Sequence, residues 1–523
     1  MKNSKYIMLV FTVLLICFQS CNDDFLDITN PNAYTEDSYF NTPDQLAAAV
    51  ASAYYGFYHV GLFAREWYFY HDLLGNDAMA APAIVGTGSM GQLPSLTYDG
   101  TNTEIQNLWR ALYRIVLRSA IALDKSKDFE PVRDADIQLK KDIMGESSFL
   151  QAWAYFTLYR FWGQVPLRKT IEDMAVNNFP RASSNQEMAD HILQLLVAAE
   201  ENLRVSWPQE YAGRATRGAA VALRGQLYMW EKDYAAALTE FNKLAQAPYS
   251  YELVPDFGIL TSVEGDNTVE SIFEIQHRFN PSANIWYMFG GQESWGPDQA
   301  ITGRAMEFGF NDWFNVFVSR SLVDAFTYDI NGITDYVDPR AYNTFYGNAA
   351  SGGDTDFYCG DCDGNVQPYP FEEKGYAYKK YQRYEIRENE GVPESPINSK
   401  YLRYADILLQ KAECHLMIDN NTTQALALIN EVRARSGAEL YNELGSNPMA
   451  VLKRERRLEL SGEQVRFWDL VRWGELEQTL NPEKQAQGEG QPYQEKHRLF
   501  PIPTDELEIN TEMRNDLNYP GWN

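Results

Sequence analysis

Apolar residues recur at helical spacing along much of this chain. The first predicted helix follows the capped sequence TPDQ at 42–45 and carries Leu46, Val50, Tyr54 and Phe57 on one face. The same periodicity runs through residues 105–123 and 143–161. A second capping box is predicted for Ser184 and Glu187, ahead of an apolar stripe over 188–203. The pattern favours a body built from amphipathic helices.

Two stretches predict helix pairs of the tetratricopeptide kind. In residues 216–247, one apolar helix face is interrupted at 232–234, Ala237 and Phe241 follow in an A-x3-F spacing, and Pro248 ends the unit. A second unit covers 401–417 and 422–435. Small alanines let paired helices approach closely, and neighbouring pairs stack to bury their apolar faces. The alternative is two unrelated amphipathic hairpins.

Residues 250–399 have a different character. Glycine, proline, asparagine, aspartate and aromatic residues dominate, and helical periodicity lapses except near 320–326. A loop-rich region of this length inside a helical body is usually functional or a separate subdomain. Trp286, Tyr287 and Trp295 stand in glycine-flanked polar sequence there, which makes them candidates for a ligand surface rather than for the core.

The charge composition of the chain argues against one class of ligand, nucleic acid. The chain has 523 residues, with 45 basic and 72 acidic residues and a net charge of −27. Nucleic-acid binding is therefore not expected, because it needs clustered positive charge. A hydrophobic fraction of 45% is enough for a large buried core.

The N-terminus predicts export and lipidation. Lys2 and Lys5 precede an apolar run over 6–18 that is too short to span a bilayer, as in a secretory signal. Gln19-Ser20-Cys21 follows the run, with a small residue directly before a cysteine, so we expect Cys21 to become the acylated N-terminus. A plain soluble secreted form is the alternative. The Asp-rich residues that follow suit a solvated tether.

Signatures of catalysis are weak. Residues 86–91 (GTGSMG) satisfy G-x-G-x-x-G, but Pro94 follows closely and no helical pattern does, so a flexible loop is expected instead of a dinucleotide site. The sequence contains no H-E-x-x-H and no P-loop. One loop is rich in candidate ligands for a structural calcium ion: Asp354, Asp356, Asp361 and Asp363. The alternative there is a solvated loop closed by a Cys359–Cys362 disulfide, while Cys414 is expected to be a buried thiol.

Several strings resemble the SusD/RagB family of Bacteroidota nutrient-uptake lipoproteins. In the C-terminal third they are YLRYADILL at 401–409, ALALINEVRARSG at 425–437, ERRLEL at 455–460, RFWDLVRWG at 466–474 and LFPIP at 499–503. Residues 149–167 (FLQAWAYFTLYRFWGQVPL) and 215–228 are similar to the family as well. We expect most of these residues to be scaffold, with Arg466, Asp469 and Arg472 forming an ion-pair ladder on one helix face.

The resemblance implies an all-α fold, a tetratricopeptide-like scaffold with a loop-rich ligand-binding insertion. The expected organisation is a signal peptide (1–20), an acylated tether (21–40) similar to an acidic export signal, an N-terminal helical part (41–249), the insertion (250–399) and a C-terminal helical part (400–523). It implies a surface lipoprotein anchored in the outer membrane that binds oligosaccharide or polysaccharide. The protein would act without catalysis or cofactor, as a lid over a SusC-like TonB-dependent transporter.

The family's ligand face draws on the segment after the first helices and on the insertion. The residues this implies for glycan binding are Trp67, Asn76, Asp77, Trp286, Tyr287, Trp295, Asn311 and Trp313. Three alternatives stay open: the same import role with a peptide ligand, a surface glycoside hydrolase, and a structural role that tethers the transporter complex.

Overall fold

A computed structural model describes residues 40, 42–85, 88–278, 300–359, 365–382, 395–487, 490–516, 519 and 521–522. The first half is helical, as its periodicity predicts. Its helices and first strand are Pro43–Tyr55 (α1), Trp67–Asp72 (α2), Ala78–Ala80 (β1), Gly88–Ser95 (α3), Thr103–Asp128 (α4), Asp134–Trp162 (α5), Ile171–Met174 (α6), Asn185–Asn202 (α7), Arg217–Trp230 (α8) and Tyr234–Leu244 (α9). A 3-10 turn at Gly56–Tyr58 and a π-helical turn at Val60–Ala64 join α1 to α2.

The insertion contributes short strands and short helices. They are Ser271–Ile275 (β2), Arg304–Phe308 (α10), Val316–Val318 (β3), Arg320–Ala325 (α11), Thr327–Ile330 (β4), Ile333–Val337 (β5), Ala341–Thr344 (α12), Phe345–Tyr346 (β6), Asp356–Cys359 (β7), Asn365–Pro368 (β8), Phe371–Lys374 (α13), Ala377–Tyr378 (β9) and Ser399–Arg403 (β10). All described strands pair in antiparallel twos: β1 with β3, β2 with β10, β4 with β5, β6 with β9 and β7 with β8.

The C-terminal part returns to helices. They are Tyr404–Asp419 (α14), Thr422–Arg435 (α15), Pro448–Leu460 (α16), Arg466–Trp473 (α17), Leu476–Gln487 (α18), Thr504–Ile509 (α19) and Thr511–Arg514 (α20). The pairs α8–α9 and α14–α15 are the two predicted tetratricopeptide-like units, and α9 packs on α14, so the units stack on each other. Cys414 is fully buried in α14, as expected. The all-α prediction is confirmed.

The core is aromatic where the N-terminal helices meet the C-terminal part. The rings of Phe57 and Trp153 meet edge to face at 4.8 Å, and Tyr401 packs on Trp153 at 5.6 Å. The stretch Pro43–Ala64 is the only part of the described chain long and apolar enough to cross a membrane, but 67% of its most apolar window is buried in the protein. That burial identifies it as a core segment.

Two local predictions need correction. Thr42 and Gln45 form the expected capping box, but at α7 only half of one forms, because Glu187 accepts from the backbone N–H of Ser183 rather than of Ser184. The segment at 86–91 was expected to be a flexible loop, yet its described part, 88–91, is helical, because α3 begins at Gly88 and includes Pro94. Gly88 has a φ of 63°, which glycine adopts at little cost.

A buried ion-pair network joins the insertion to the C-terminal helices. Arg403 donates to Glu270 at 2.9 Å and to Glu459 at 2.7 Å, while Arg340 reaches Glu455 at 2.6 Å and Glu459 at 3.2 Å. These five side chains are at most 2% exposed. Burial alone would raise the pKa of Glu459, but Arg435, Arg403 and Arg340 outweigh it and lower that pKa. The ERRLEL motif is therefore scaffold.

The RFWDLVRW motif forms a second charged cluster. Asp469 accepts from Arg456 at 2.8 Å and from Arg472 at 2.8 Å, which confirms half of the predicted ladder. Arg466 does not join it. Its guanidinium donates instead to the side-chain oxygen of Asn76 at 3.1 Å, so this end of α17 holds the turn before β1.

Candidate functional site

The two-stranded ribbon of β1 and β3 has one buried and one partly exposed face. Alanines of β1 and valines of β3 are buried, while Met79 and Phe317 lie directly opposite each other and are partly exposed. Successive side chains in a strand point to opposite faces, so Met79 and Phe317 share the outward face. The backbone N–H of Ala81 donates to the Asn315 carbonyl at 2.9 Å, which extends the pairing beyond the ribbon.

The loop 309–315 brings further aromatic side chains to this face. Asn311 is exposed, Trp313 is 39% exposed and Phe314 is partly exposed. The Phe314 ring meets the Phe317 ring edge to face at 4.1 Å. We call Met79, Asn311, Trp313, Phe314 and Phe317 the Trp313 surface.

The inner side of the loop is fixed by aromatic packing. Phe310 is buried against the rings of Tyr346, Phe357 and Tyr369, with centroid distances of 5.5, 4.9 and 4.8 Å. Gly309 permits the close approach to α10, since a Cβ there would lie 2.5 Å from the Ala305 carbonyl oxygen. The exposed residues therefore stand on a rigid base.

The backbone of the loop is held in an uncommon conformation. Phe314 has a φ of 50°, which is an outlier for a bulky residue. The neighbouring N–H groups keep it in place: Trp313 donates to the Met306 carbonyl at 3.2 Å and Asn315 to the Glu307 carbonyl at 2.8 Å. Backbone strain of this kind concentrates at functional sites, where the surrounding structure maintains it.

One buried carboxylate ties the loop to the N-terminal helices. Glu307 accepts from Arg65 Nε at 2.6 Å and from Asn315 Nδ2 at 2.6 Å, and its side chain is 1% exposed. Burial alone would lower the pKa of Arg65, but the Glu307 carboxylate outweighs it and raises that pKa. Glu307 is thus committed to positioning the loop.

Three of the residues implied as ligand contacts are scaffold instead. Trp67 is 2% exposed and packs on Phe63 at 4.8 Å, where it lines a partly open cavity of about 70 Å³. Asp77 is buried and accepts from Arg457 at 2.7 Å. Asn76 has a φ of 63° and bonds Arg466 and Ser321 with its amide group. These positions correct the expectation, because buried and engaged side chains do not face a ligand.

The structure describes some of the other candidate residues and not the rest. Asn311 and Trp313 are both exposed on the loop 309–315. Trp286, Tyr287 and Trp295 lie outside the described residues, and so does Cys21. The flanks of their segment are adjacent, since the Arg278 N–H donates to the Ala300 carbonyl at 2.9 Å, and α10 leads from there to the loop 309–315.

The calcium and disulfide expectations stay predictions. Asp354 is buried and accepts from Lys379 Nζ at 2.6 Å, whereas Asp356 is exposed on β7. Asp361, Asp363 and Cys362 lie outside the described residues, as does the side chain of Cys359. No group of three potential ligands gathers among the described histidine, cysteine, aspartate and glutamate residues.

Met79, Phe314 and Phe317 were missed by the sequence interpretation. A three-residue strand such as AMA carries no readable alternation, and Phe314 and Phe317 sit in sequence that could equally be core. The signal that was available is their closeness in sequence to Trp313.

Two family models match most of the chain. The model described as the SusD family matches residues 270–522, and the one described as "Starch-binding associating with outer membrane" matches residues 24–229. A SusD-like protein of Formosa agariphila is 26% identical over 514 residues, covering 92% of this chain and 94% of that protein.

Solved structures share the fold. A SusD superfamily protein from Bacteroides vulgatus superposes with a TM-score of 0.73 at 23% identity, covering 91% of this chain and 98% of that one. A structure described as a laminarin-binding SusD-like protein gives a TM-score of 0.71 at 22% identity, with 90% and 98% covered. With its helical fold and the motifs of its C-terminal third, this chain belongs to the SusD/RagB family.

Proposed function

We propose that this protein binds oligosaccharide or polysaccharide at the Trp313 surface and delivers it, as a lid, to a SusC-like TonB-dependent transporter in the outer membrane. The observation that carries the proposal is an exposed tryptophan on a rigid, aromatic and partly exposed face. Sugar rings have apolar faces that pack on flat aromatic rings, and their hydroxyl groups need amide partners. The side chain of Trp313 supplies the flat ring, and that of Asn311 supplies the amide.

The names of related proteins support the ligand class. One relative of the same fold is described as laminarin-binding, another from Bacteroides fluxus as a surface glycan-binding protein, and one matching family model carries the description of starch binding. These descriptions belong to those proteins, and they make a glycan the first ligand to test here.

The geometry favours binding over hydrolysis. Glycoside hydrolases place two carboxyl groups beside the scissile bond, with one free to donate a proton. The segment 304–315 carries two carboxylates, Glu307 and Asp312, and Glu307 is buried and accepts from Arg65 and Asn315, so it is committed to the loop and is not available as one member of such a pair. A captured glycan held over a transporter gains a high effective concentration, so modest affinity suffices for import.

A glycan-array screen of the chain beginning after Cys21 tests the proposal, with reducing-end analysis of any bound glycan. We expect binding to one glycan class without new reducing ends. Binding to no glycan would contradict the proposal in favour of a peptide ligand or a purely structural role. New reducing ends from a bound glycan would identify a hydrolase instead.

The proposed lipid anchor at Cys21 and the proposed transporter partner are tested by separate experiments. We expect Cys21 to incorporate a labelled fatty acid, a Cys21→Ala variant to lose it, and external protease to digest the anchored protein on intact cells. Purification of the full-length lipoprotein from detergent-solubilised outer membranes should yield a TonB-dependent barrel in equal amount. Absence of that barrel would contradict the lid role while leaving glycan binding untouched.

A further inference from the structure

A second concave site lies away from the Trp313 surface and shares no lining residue with it. It is a groove of about 270 Å³ between the loop 205–216, the segment 248–251 and the edge of β2. An adjoining cavity of about 160 Å³ shares the backbone turn at 212–214 with it. Gly213 forms that turn with a φ of 89°, and a Cβ there would lie 2.1 Å from the Gln276 side chain.

One wall of the groove is a stack of tyrosine rings. Tyr249 lies parallel to Tyr251 at 6.1 Å and 14°, and Tyr251 is stacked on Tyr404 at 6.3 Å and 28°. Tyr251 is locked in place because Gly218 has no side chain, and a Cβ there would lie 2.1 Å from the tyrosine hydroxyl. The outermost ring, Tyr249, is partly exposed, so the stack presents a fixed aromatic face to the groove.

Trp207 also lines the groove, and two arginines hold its ring. The guanidinium of Arg214 lies 3.9 Å from the Trp207 ring centre and that of Arg204 lies 4.8 Å from it. The indole N–H donates to the Ala215 carbonyl at 2.8 Å. Trp207 is therefore rigid.

The charged residues of the groove are already paired. Arg214 donates to Glu146 at 2.8 Å, and Glu274 accepts from Lys400 at 3.1 Å. A ligand there has no unpaired charge to neutralise, which favours an uncharged one.

Uncharged polar groups supply the hydrogen-bonding capacity. The side chains of Ser206, Gln209, Ser250 and Ser271 line the groove and make no hydrogen bond to the part of the chain that the structure describes. Each carries a donor and an acceptor. A fixed aromatic face surrounded by such groups matches a hydroxyl-rich ring with an apolar face.

We propose that this Tyr249 groove is a second carbohydrate-binding site, which takes a neutral sugar ring against Tyr249 and hydrogen-bonds it through the serine and glutamine side chains. The inference rests on the proposed glycan-binding function and extends it. Two sites on one chain would hold a long glycan at two points and raise its apparent affinity above that of either site.

Calorimetric titration with maltohexaose and with laminarihexaose tests the groove, using the chain that begins after Cys21. The Trp313→Ala variant silences the first surface, and we expect it to keep one weak site for at least one of the hexaoses. Adding Tyr249→Ala should weaken that remaining binding at least about tenfold. Ser250→Trp should do the same by filling the groove, without removing a ring from the stack. Tyr358→Ala, an exposed tyrosine on β7, is the matched control and should change nothing.

The outcomes separate the two proposals. If the wild-type chain binds a hexaose and Trp313→Ala abolishes all binding, the groove is overturned while the proposed function stands. Unchanged residual binding in both groove variants also overturns it. A wild-type chain that binds neither hexaose contradicts the groove, and the array screen then decides the proposed function alone.

Discussion

The ion-pair network around Glu459 and the Trp313 surface use side chains in opposite ways. Around Glu459, arginines and glutamates are removed from water and each is compensated by a partner, as Arg403 and Arg340 show. The side chains of the Trp313 surface are uncharged, and the buried carboxylate of Glu307 beneath the loop accepts from Arg65 and Asn315 and holds the loop in place. The first region fixes the insertion on the helices and the second faces solvent.

The comparison indicates which residues can bind a ligand and which are needed for folding. A buried charge is expensive to leave unpaired, so every residue of the network is committed to the fold. An exposed ring contributes less to folding than a buried one, and its exposed face can contact a ligand. Changes in the network should therefore lower stability, and changes at the surface should lower binding.

Glu459→Gln should have the largest effect. It removes a carboxylate that Arg403 and Arg435 share, so one positive charge in the buried network loses its compensation although Glu270 still pairs with both arginines. Removing one partner from a buried ion pair costs about 3–5 kcal/mol. Urea unfolding followed by circular dichroism measures the loss. Glu508→Gln, an exposed glutamate on α19, is the matched control and should stay within about 0.5 kcal/mol of the wild type. Equal stability of both variants would show that the network does not hold the insertion.

Trp313→Ala should have the second largest effect, and it should lower glycan binding without lowering stability. We expect at least about a tenfold loss of glycan affinity, or about 1.4 kcal/mol, and a nearly unchanged melting temperature. Trp153→Ala is the matched core control, because Trp153 is fully buried, and should cost about 3–5 kcal/mol of stability. If Trp313→Ala lowers the melting temperature as Trp153→Ala does, the surface belongs to the core.

A pH effect should separate the scaffold from the surface. Burial, with the neighbouring Glu104, raises the pKa of Glu66 to about 8 from an ordinary 4.5. Between these values the folded chain keeps a proton that the unfolded chain releases, so stability falls as pH rises from about 4.5 and the full loss is present above about 8.

Glu66→Gln removes this titration. Its stability relative to the wild type should rise by at least about 1 kcal/mol between pH 6 and pH 9, measured by urea unfolding at each pH. Asp72, whose pKa burial raises to about 7, titrates in both proteins and so cancels from the difference. A difference independent of pH would mean that Glu66 is ionised throughout.

Salt should have the smallest effect. The Trp313 surface offers rings and amides to a neutral glycan, so affinity should change less than about twofold between low and high sodium chloride. Calorimetric titration at both concentrations checks this. A steep loss of affinity with salt would indicate a charged ligand, as the peptide alternative requires.

The sequence predicts helices well where hydrophobic periodicity or a capping motif determines them. Thr42 and Gln45 start α1 as expected, and both tetratricopeptide-like pairs appear at the predicted places. It predicts the exposure of a side chain poorly where packing between distant parts of the chain determines that exposure. Trp67 and Trp313 are the same residue type, but Trp67 lies on α2 in the core and Trp313 on a loop fixed by Phe310.

Partner choice is a second limit on prediction. Arg466 is spaced to meet Asp469 but bonds Asn76, because the turn before β1 comes to α17 only in the folded chain. Asn76 and Asp77 follow the first helices as implied by the family resemblance, and packing on α16 and α17 buries them. Spacing along the chain cannot encode either contact.

Hydroxyl-radical footprinting by mass spectrometry, with and without the glycan found on the array, tests the central claim most directly. The account predicts that glycan protects Trp313 and Phe317 from oxidation and leaves Tyr358 unchanged. Protection that spares Trp313 would contradict the assignment of the Trp313 surface as the place where the glycan binds.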